Sequence, residues 1–298
     1  MTRVVVVGSA NMDLVATSPV LPRPGETVLG RDFTTVPGGK GANQAIAAVR
    51  AGADCAFLGA IGSDSFGVTL KARLTASRVD TSLTRVVYGA SGVALIVVGE
   101  RAENQIVVTP GANAALKNLT GEERAAIAAA DVLVAQLEIP IETVADAARC
   151  ARDGGTRVVL NAAPARAIPG HQLFEAVDLL VVNELEADQL TGRGRDAAAL
   201  LALVPRVVLT LGGEGARYAE RGADPVHVPA PVVAAVDTTA AGDAFTGALA
   251  VAWGEGRDLV DAVRWASAAG AACARRLGAS VALPERAAID ALYRETYR

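Results

Sequence analysis

Histidine and cysteine are scarce in this chain, with two histidines and three cysteines among 298 residues. Cys55, Cys150 and Cys273 stand far apart, with no C-x-x-C pair and no neighbouring histidine. They read as small buried hydrophobes in a reducing compartment. His171 and His227 also stand alone, which argues against a histidine metal cage or a histidine-dependent triad. Any general base is then a carboxylate. Lysine is rarer than arginine: of 28 cationic residues only Lys40, Lys71 and Lys117 are lysines. They are outnumbered by 32 acidic residues, and the net charge of −4 excludes a basic surface for nucleic acid. No stretch approaches the roughly 18 uninterrupted apolar residues of a membrane span. Four valines after Met-Thr-Arg are too short a run for a signal peptide. A soluble cytoplasmic protein is expected. With only 13 prolines and 51% hydrophobic residues, disordered and collagen-like classes are excluded as well.

The length suffices for one large α/β domain with a full core. Glycine is in excess, 30 residues, which predicts tight turns and close backbone approaches. Short β-branched runs recur at Val4–Val7, Ala56–Ile61, Val132–Leu137, Val158–Leu160, Leu179–Val182 and Val207–Leu211. Such runs, apolar on both faces, are the mark of buried parallel strands. Alanine-rich helical stretches lie between them, at Gly41–Ala51, Ser65–Ala76, Glu122–Ala130, Ile141–Ala151 and Asp196–Leu203. Helices over Gly242–Trp253, Leu259–Arg276 and Glu285–Tyr293 close the chain. The alternation predicts an α/β fold, a doubly wound and mostly parallel sheet with helices on both faces. Two regions break the rhythm. Thr17–Val36 holds Pro19, Pro22 and Pro24, and Thr84–Val108 reads as successive strands turning at Gly89 and Gly99–Arg101. They are expected to form a small β-sheet, either a lid over a ligand cleft or a plain extension of the sheet edge. Residues 1–298 then form a single domain with the lid inside it.

Three stretches carry chemistry. In Val236-Asp-Thr-Thr-Ala-Ala-Gly-Asp-Ala-Phe-Thr-Gly247 a strand is expected to end near Asp237 and a helix to start near Gly242. The small residues Ala240, Ala241 and Gly242 leave backbone N–H groups room to converge on phosphate at a helix N-terminus. Asp243 sits in the first turn, either as a cap or as a base facing that anion hole. A carboxylate beside an anion hole suits phosphoryl transfer to an alcohol, since the amides hold developing charge while the Asp accepts the hydroxyl proton. Pro37-Gly-Gly-Lys-Gly-Ala-Asn-Gln44 fails the Walker pattern, because Gly41 follows Lys40 and Thr34 stands where glycine is needed. Its glycines permit close approach to a small ligand, and Asn43 offers a donor and an acceptor, unless the segment is only a turn before a helix. Gly8-Ser-Ala-Asn-Met-Asp13 follows the first strand, where ligands bind in open α/β sheets. Asn11 and Asp13 there suit neighbouring hydroxyls, or else the turn itself. The same stretch lacks the G-x-G-x-x-G of a nicotinamide dehydrogenase.

With Asn183-Glu-Leu-Glu186, Pro110-Gly-Ala-Asn-Ala114, Asn161-Ala-Ala-Pro-Ala-Arg166 and Thr210-Leu-Gly-Gly213, these motifs resemble the ribokinase (PfkB carbohydrate kinase) family over residues 3 to 285 or so. The resemblance implies ATP-dependent phosphorylation of the 5-hydroxyl of D-ribose, with Mg²⁺ and K⁺ as cofactors. It implies a pentose site at Asn11, Asp13, Gly39, Lys40, Asn43 and Glu138, with Asp243 as base and Ala240, Ala241 and Gly242 as anion hole. Asn183 and Glu186 would help position Mg²⁺ and phosphate. Thr210, Gly212, Gly213 and Gly215 would lie along the nucleotide. Ser267 stands where relatives carry a larger polar residue near adenine. The implied potassium positions are Asp237, Thr239, Cys273, Arg276, Gly278 and Ala282. The alternatives are a kinase for deoxyribose, another furanose or a nucleoside, and a non-catalytic sugar-binding protein on the same fold. An aromatic content of 4% speaks against a slot for a nucleoside base, and retention of Asp243 with its whole motif speaks against a dead enzyme. In the lid, Val93, Leu95 and Val97 alternate with Ala94, Ile96 and Val98, so both faces are apolar. Pairing with a second copy would cover them, and the resemblance likewise implies a homodimer through the lid.

Overall fold

The computed structural model describes residues 1–100, 103–168 and 172–298. Arg101, expected in a turn, and the lone His171 lie outside the described residues. The chain opens with strands β1 (Arg3–Val7), β2 (Asn11–Thr17) and β3 (Phe33–Gly38), followed by helix α1 (Lys40–Ala51). Then come β4 (Asp54–Gly62), α2 (Ser65–Ala76), β5 (Thr84–Val87), β6 (Gly92–Val98) and β7 (Asn104–Thr109). The middle of the chain holds α3 (Gly121–Ala128), β8 (Val132–Gln136), α4 (Ile141–Gly154), β9 (Arg157–Asn161) and β10 (Leu179–Asn183). After α5 (Glu184–Thr191) and α6 (Ala197–Leu201) run β11 (Arg206–Thr210), β12 (Ala216–Glu220) and β13 (Val226–Val228). Helices α7 (Ala241–Gly254), α8 (Leu259–Ala274) and α9 (Arg286–Tyr297) finish it.

Nine strands form the main sheet in the order β13-β12-β11-β10-β9-β8-β1-β4-β5. From β11 to β5 every neighbour is parallel. The β12–β13 hairpin adds two antiparallel strands at one edge. The apolar runs divide by their period of two. Val4 and Val6 of β1 point into a core shared with α1, α7, α8 and α9. Val5 and Val7 point into a second core with α3, α4, α5 and α6. The expected three-layer α/β architecture is therefore present. Alanine and glycine bring α1 and α7 unusually close: a Cβ at Gly247 would lie 2.6 Å from the Cβ of Ala47. That crossing sets Asn43 and Gln44 of α1 against Asp243 of α7.

A second sheet of four strands, β3-β2-β6-β7, stands off the first. Its boundaries differ from those expected. Thr84–Val87 belongs to the main sheet, parallel to β4, with the Thr84 hydroxyl donating to the Phe57 carbonyl at 3.1 Å. On the other side the small sheet begins earlier, at Asn11, and residues 18–32 carry no strand. Pro19, Pro22 and Pro24 have no N–H to give to a ladder. Nor does a strand end near Asp237: residues 229–240 are irregular, with Pro229 and Pro231 and a fully exposed Val232. Helix α8 stops at Ala274, short of Arg276. The β12–β13 hairpin and α5 are elements that the pattern of apolar runs does not reveal.

Register assigns the faces of the small sheet. Asp13 pairs with Ala94, and Ala94 with Val108, so Asn11, Asp13 and Ala94 share the face that meets the main sheet's C-terminal edge. Leu14, Leu95 and Val107 pair across the opposite face, where Leu95 is 48% and Val107 61% exposed. Along β6 itself both faces are apolar, as the alternation predicts. Among the described residues no helix is long and apolar enough to cross a membrane.

Candidate active site

The polar side chains singled out in the sequence converge where β1 ends, α1 begins and α7 begins. Two turns meet there at backbone distance. Gly39, the residue before α1, has φ +91°, and a Cβ on it would lie 2.6 Å from the Asn11 amide. A Cβ on Gly41 would lie 2.5 Å from the Ser9 amide. Only glycine permits this contact, and it carries the start of α1 onto the β1–β2 turn. The Ala42 amide then donates to the Ser9 carbonyl at 2.8 Å.

Glu138, two residues past β8, ties these turns together. Its Oε2 accepts from the Lys40 amide at 3.1 Å, from Asn11 Nδ2 at 3.4 Å and from the Ser9 hydroxyl. Asn11 is oriented from its other side, where Asn113 Nδ2 donates to its Oδ1 at 2.7 Å. Asn113 also exchanges bonds with the backbone of Ala10, at 3.0 and 3.2 Å.

Asp243 lies in the first turn of α7, 8% exposed. Its Oδ2 accepts from Asn43 Nδ2 at 3.0 Å and its Oδ1 from Gln44 Nε2 at 2.9 Å. Asn43 Oδ1 is buried and has no partner, so it faces the site as an acceptor in want of a hydroxyl. Ala240 precedes the helix in the left-handed conformation, φ +61°, which is strained for a residue with a Cβ. It aims the first amides of α7 into the cleft. The Ala241 amide donates to the Thr238 carbonyl at 3.1 Å, which leaves the Gly242 and Asp243 amides as the donors for an anion. A Cβ at Gly242 would meet nothing within 4 Å.

The charges interact strongly. Burial pushes the Asp243 carboxyl up, while Lys40, Gln44 and Asn43 pull it down. Asp13 is raised to about 7, first by burial and then by the charges of Glu138 and Asp243, against Lys40. Burial works against the charge on Lys40, but Asp243, Glu138, Glu186 and Asp13 together carry its ammonium above the ordinary range. One lysine thus serves as the common counter-ion of four carboxylates.

The nucleotide-side positions lie at the ends of β10 and β11. Asn183 and Glu186 form a reciprocal capping box on α5: Asn183 Oδ1 accepts from the Glu186 amide at 2.8 Å, and Glu186 Oε2 from the Asn183 amide at 2.9 Å. The second carboxylate oxygen of Glu186 stays available, and burial raises this carboxyl. Thr210 sits beside Asn183 in register. Gly212 and Gly213 have open space over their α-carbons, whereas a Cβ on Gly215 would lie 2.1 Å from the Val228 carbonyl oxygen. Ser267 is buried on α8, and its hydroxyl donates to its own helix at Val263.

A separate loop assembly carries the positions singled out for potassium. Asp237 Oδ1 accepts from the Thr239 amide at 2.9 Å and Oδ2 from the Gly278 amide at 2.8 Å. The Cys273 thiol points to the Thr239 carbonyl at 3.7 Å. Burial raises the Asp237 carboxyl less than these hydrogen bonds lower it, so it is ionised. Arg276 and Ala282 complete the 273–282 turn through bonds to the Cys273 and Ala279 carbonyls, both at 3.1 Å.

Sequence reasoning missed five residues of the site. Ser9 and Asn113 orient the sugar-side groups, and Gln44, backed by Gln136 and Asn161, braces Asp243. Gln44, Asn113 and Asn161 lie inside motifs quoted above, yet only folding shows which partner each one meets. The raised Asp13 carboxyl has a measurable consequence. Between the ordinary aspartate value of 3.8 and about 7 the folded chain holds a proton that the unfolded chain has lost. Stability therefore declines as pH rises through that window. Asp13→Asn removes the effect. Thermal unfolding of the ligand-free chain should show the variant gaining on wild type from pH 4 to 7, by roughly 2–4 kcal/mol at the plateau. A difference independent of pH would refute it.

The chain is similar to known proteins over nearly its whole length. The profile of the pfkB family carbohydrate kinases matches residues 1–286. Ribokinase of Haemophilus influenzae is 38% identical over 292 residues, which is 94% of this chain and 95% of that one. Ribokinase of Bacillus subtilis is 39% identical over 299 residues, 98% and 99% of the two chains. Among solved structures, ribokinase of Arabidopsis thaliana complexed with ribose and ATP superposes with a TM-score of 0.92 at 29% identity, covering 98% of this chain and 99% of that one. By its sequence and its fold, the chain belongs to the pfkB family of carbohydrate kinases.

Proposed function

We propose that this chain transfers the γ-phosphoryl group of ATP to the 5-hydroxyl of D-ribose. The observation that carries the reading is the Asp243 carboxylate, buried at the mouth of an α-helix whose first amides are open to an anion. Around it stand hydroxyl-binding groups in the number a small sugar needs: Asn11, Asp13, Lys40, the unpaired oxygen of Asn43, and the Gly38–Gly39 turn. The ribokinase relatives and the ribose- and ATP-bound neighbour support the same substrates. Asp243 accepts the proton of the attacking hydroxyl. The Gly242 and Asp243 amides take up charge on the transferred group, and Lys40 balances the carboxylates. ATP lies with its phosphates toward α7, over Thr210, Gly212, Gly213 and Gly215. Asn183 and Glu186 face that path. Among the described residues no cluster of three metal-ligating side chains occurs. The free Glu186 oxygen nevertheless suits Mg²⁺, which keeps most of its waters and binds substrate phosphates. When bound, Mg²⁺ neutralises phosphate charge.

Asp237, already ionised, and the carbonyls of Thr239, Cys273, Arg276, Gly278 and Ala282 fit a weakly hydrated monovalent cation such as K⁺ better than a small divalent one. The cation would hold residues 237–242 in the shape that presents the anion-hole amides. The outward face of the small sheet, with Phe33, Leu95 and Val107 exposed, fits a second copy of the chain better than it fits water. The lid of each protomer would then cover its own sugar site and pack on its partner.

Four experiments test these readings. Across a panel of pentoses with ATP, ribose should give the highest kcat/KM. Asp243→Asn should lower kcat at least about a hundredfold while ribose still binds by calorimetry. Activity near wild type would remove Asp243 from the mechanism, and a preferred sugar other than ribose would change the substrate. Potassium should raise kcat well above its value in sodium or Tris, an effect that Asp237→Ala should abolish. Equal rates in all three buffers overturn the cation site. Light scattering at micromolar concentration should give twice the chain's 30.3 kDa. A mass of one chain refutes the dimer.

A further inference from the structure

We propose that Gln44, with its side-chain amide oriented by Gln136, is the positioning residue that aligns the Asp243 carboxylate on the substrate hydroxyl. The proposal rests on the phosphoryl-transfer reading above. Gln44 follows Asn43 on α1 and is fully buried, as is Gln136 at the end of β8. Gln44 Nε2 lies 2.9 Å from Asp243 Oδ1 and 3.0 Å from Asn161 Oδ1. Asn161 Nδ2 is committed to the Val181 carbonyl at 3.2 Å, so the atom that Asn161 turns toward Gln44 is its oxygen. An ionised carboxylate accepts only. Between these two acceptors only the NH₂ end of Gln44 can sit, and its Oε1 must face away. There Gln136 Nε2 donates to it at 2.6 Å. Gln44 is therefore fixed from two sides: Asn161, itself turned by the Val181 carbonyl of β10, accepts from its NH₂ end, and Gln136 donates to its oxygen, which leaves the NH₂ group aimed at one oxygen of Asp243.

Gln136 shows that this arrangement is not simply a matter of filling the core. Its own Oε1 is buried without a partner, pressed against the bare backbone of Gly8. An apolar side chain of similar volume would avoid that unsatisfied oxygen. What the glutamine adds is the N–H that sets Gln44. With Asn43 holding Oδ2 and Gln44 holding Oδ1, the carboxylate plane cannot rotate. The other groups facing Asp243 are Lys40 of α1, Asp13 of β2, Glu138 beyond β8, Glu186 of α5 and Cys273 of α8. Removing Gln44's donor leaves all of these in place. Its loss disfavours the ionised carboxylate, because burial already pushes that carboxyl up.

The test uses Gln44→Leu and Gln136→Leu in the full chain. For Gln44→Leu, kcat should fall about tenfold to a hundredfold with the ribose KM within about twofold. The acid limb of the kcat profile should move up by about one pH unit, so that part of the deficit disappears at alkaline pH. Gln136→Leu should shift the limb the same way by less, with a melting temperature close to wild type, because it removes the unpaired Gln136 oxygen but leaves the Gln44 oxygen without its donor. Infrared difference titration of the Asp243 carboxyl, each protein against its Asp243→Asn counterpart, reads the same shift without substrate. If wild type fails to turn over ribose, the functional reading fails, while the infrared titration still decides the role of Gln44. Carboxyl titration unchanged in both variants overturns the proposal, as does a raised KM at constant kcat. Should Gln44→Leu not fold, Gln136→Leu decides alone.

Discussion

Asp243 holds a negative charge where water is largely excluded, and much of the surrounding structure compensates for that. A lone carboxylate in such a place would take up a proton. Here Lys40, two side-chain amides and the positive end of α7 oppose protonation, while Asp13, Glu138 and Glu186 crowd further negative charge into the same space. The balance is tense because only one ammonium faces four carboxyl groups. Burial and its acidic neighbours raise Asp13 to about 7. A site of this kind is costly to fold, which is the familiar position of a catalytic centre within a marginally stable protein.

Small residues make the balance geometrically possible. Asp243 is within reach of Asn43 and Gln44 because α1 and α7 cross at Ala47 and Gly247 with no side chain between them. The turn before α1 reaches the turn after β1 because Gly39 and Gly41 carry no Cβ. The alanine and glycine excess thus does more than fill helices. It sets the distance between backbones, and backbone distance decides whether short side chains such as Asn and Asp can meet. Longer side chains could span a wider gap, but with more rotamers to order and a less definite carboxylate orientation.

The small sheet joins the site to the surface. Asn11 and Asp13 are strand residues of that sheet, so the sugar-side groups ride on the element that covers them. Alternation along β2 turns Asn11 and Asp13 inward and Met12 and Leu14 toward the other face, where Met12 is buried in the main core. One short strand therefore anchors the lid on the main core through Met12 and Leu14 and presents two polar groups.

Local order was legible from the residues themselves. Apolar runs of three to six residues mark strands apolar on both faces, and six of the main-sheet strands lie where such runs occur. The helices between them follow from alanine-rich periodicity. The glycine turns and Asp243 at a helix start were legible as well, because capping and turn chemistry act over three or four residues. The strand boundaries of the lid were not, since whether Thr84–Val87 joins β4 or β6 depends on a partner far away in the chain. The end of strand order before Asp237 was equally hidden, whereas the capping box of Asn183 and Glu186 is local, its N-x-x-E spacing standing in the sequence. Only the tertiary structure decided that Gln136 and Asn161 together orient Gln44, and that Asn113 sets Asn11. The physical reason is the same in each case. A side-chain amide has no intrinsic preference among donors and acceptors, and its role exists only once packing has brought distant strands within 3 Å of one another.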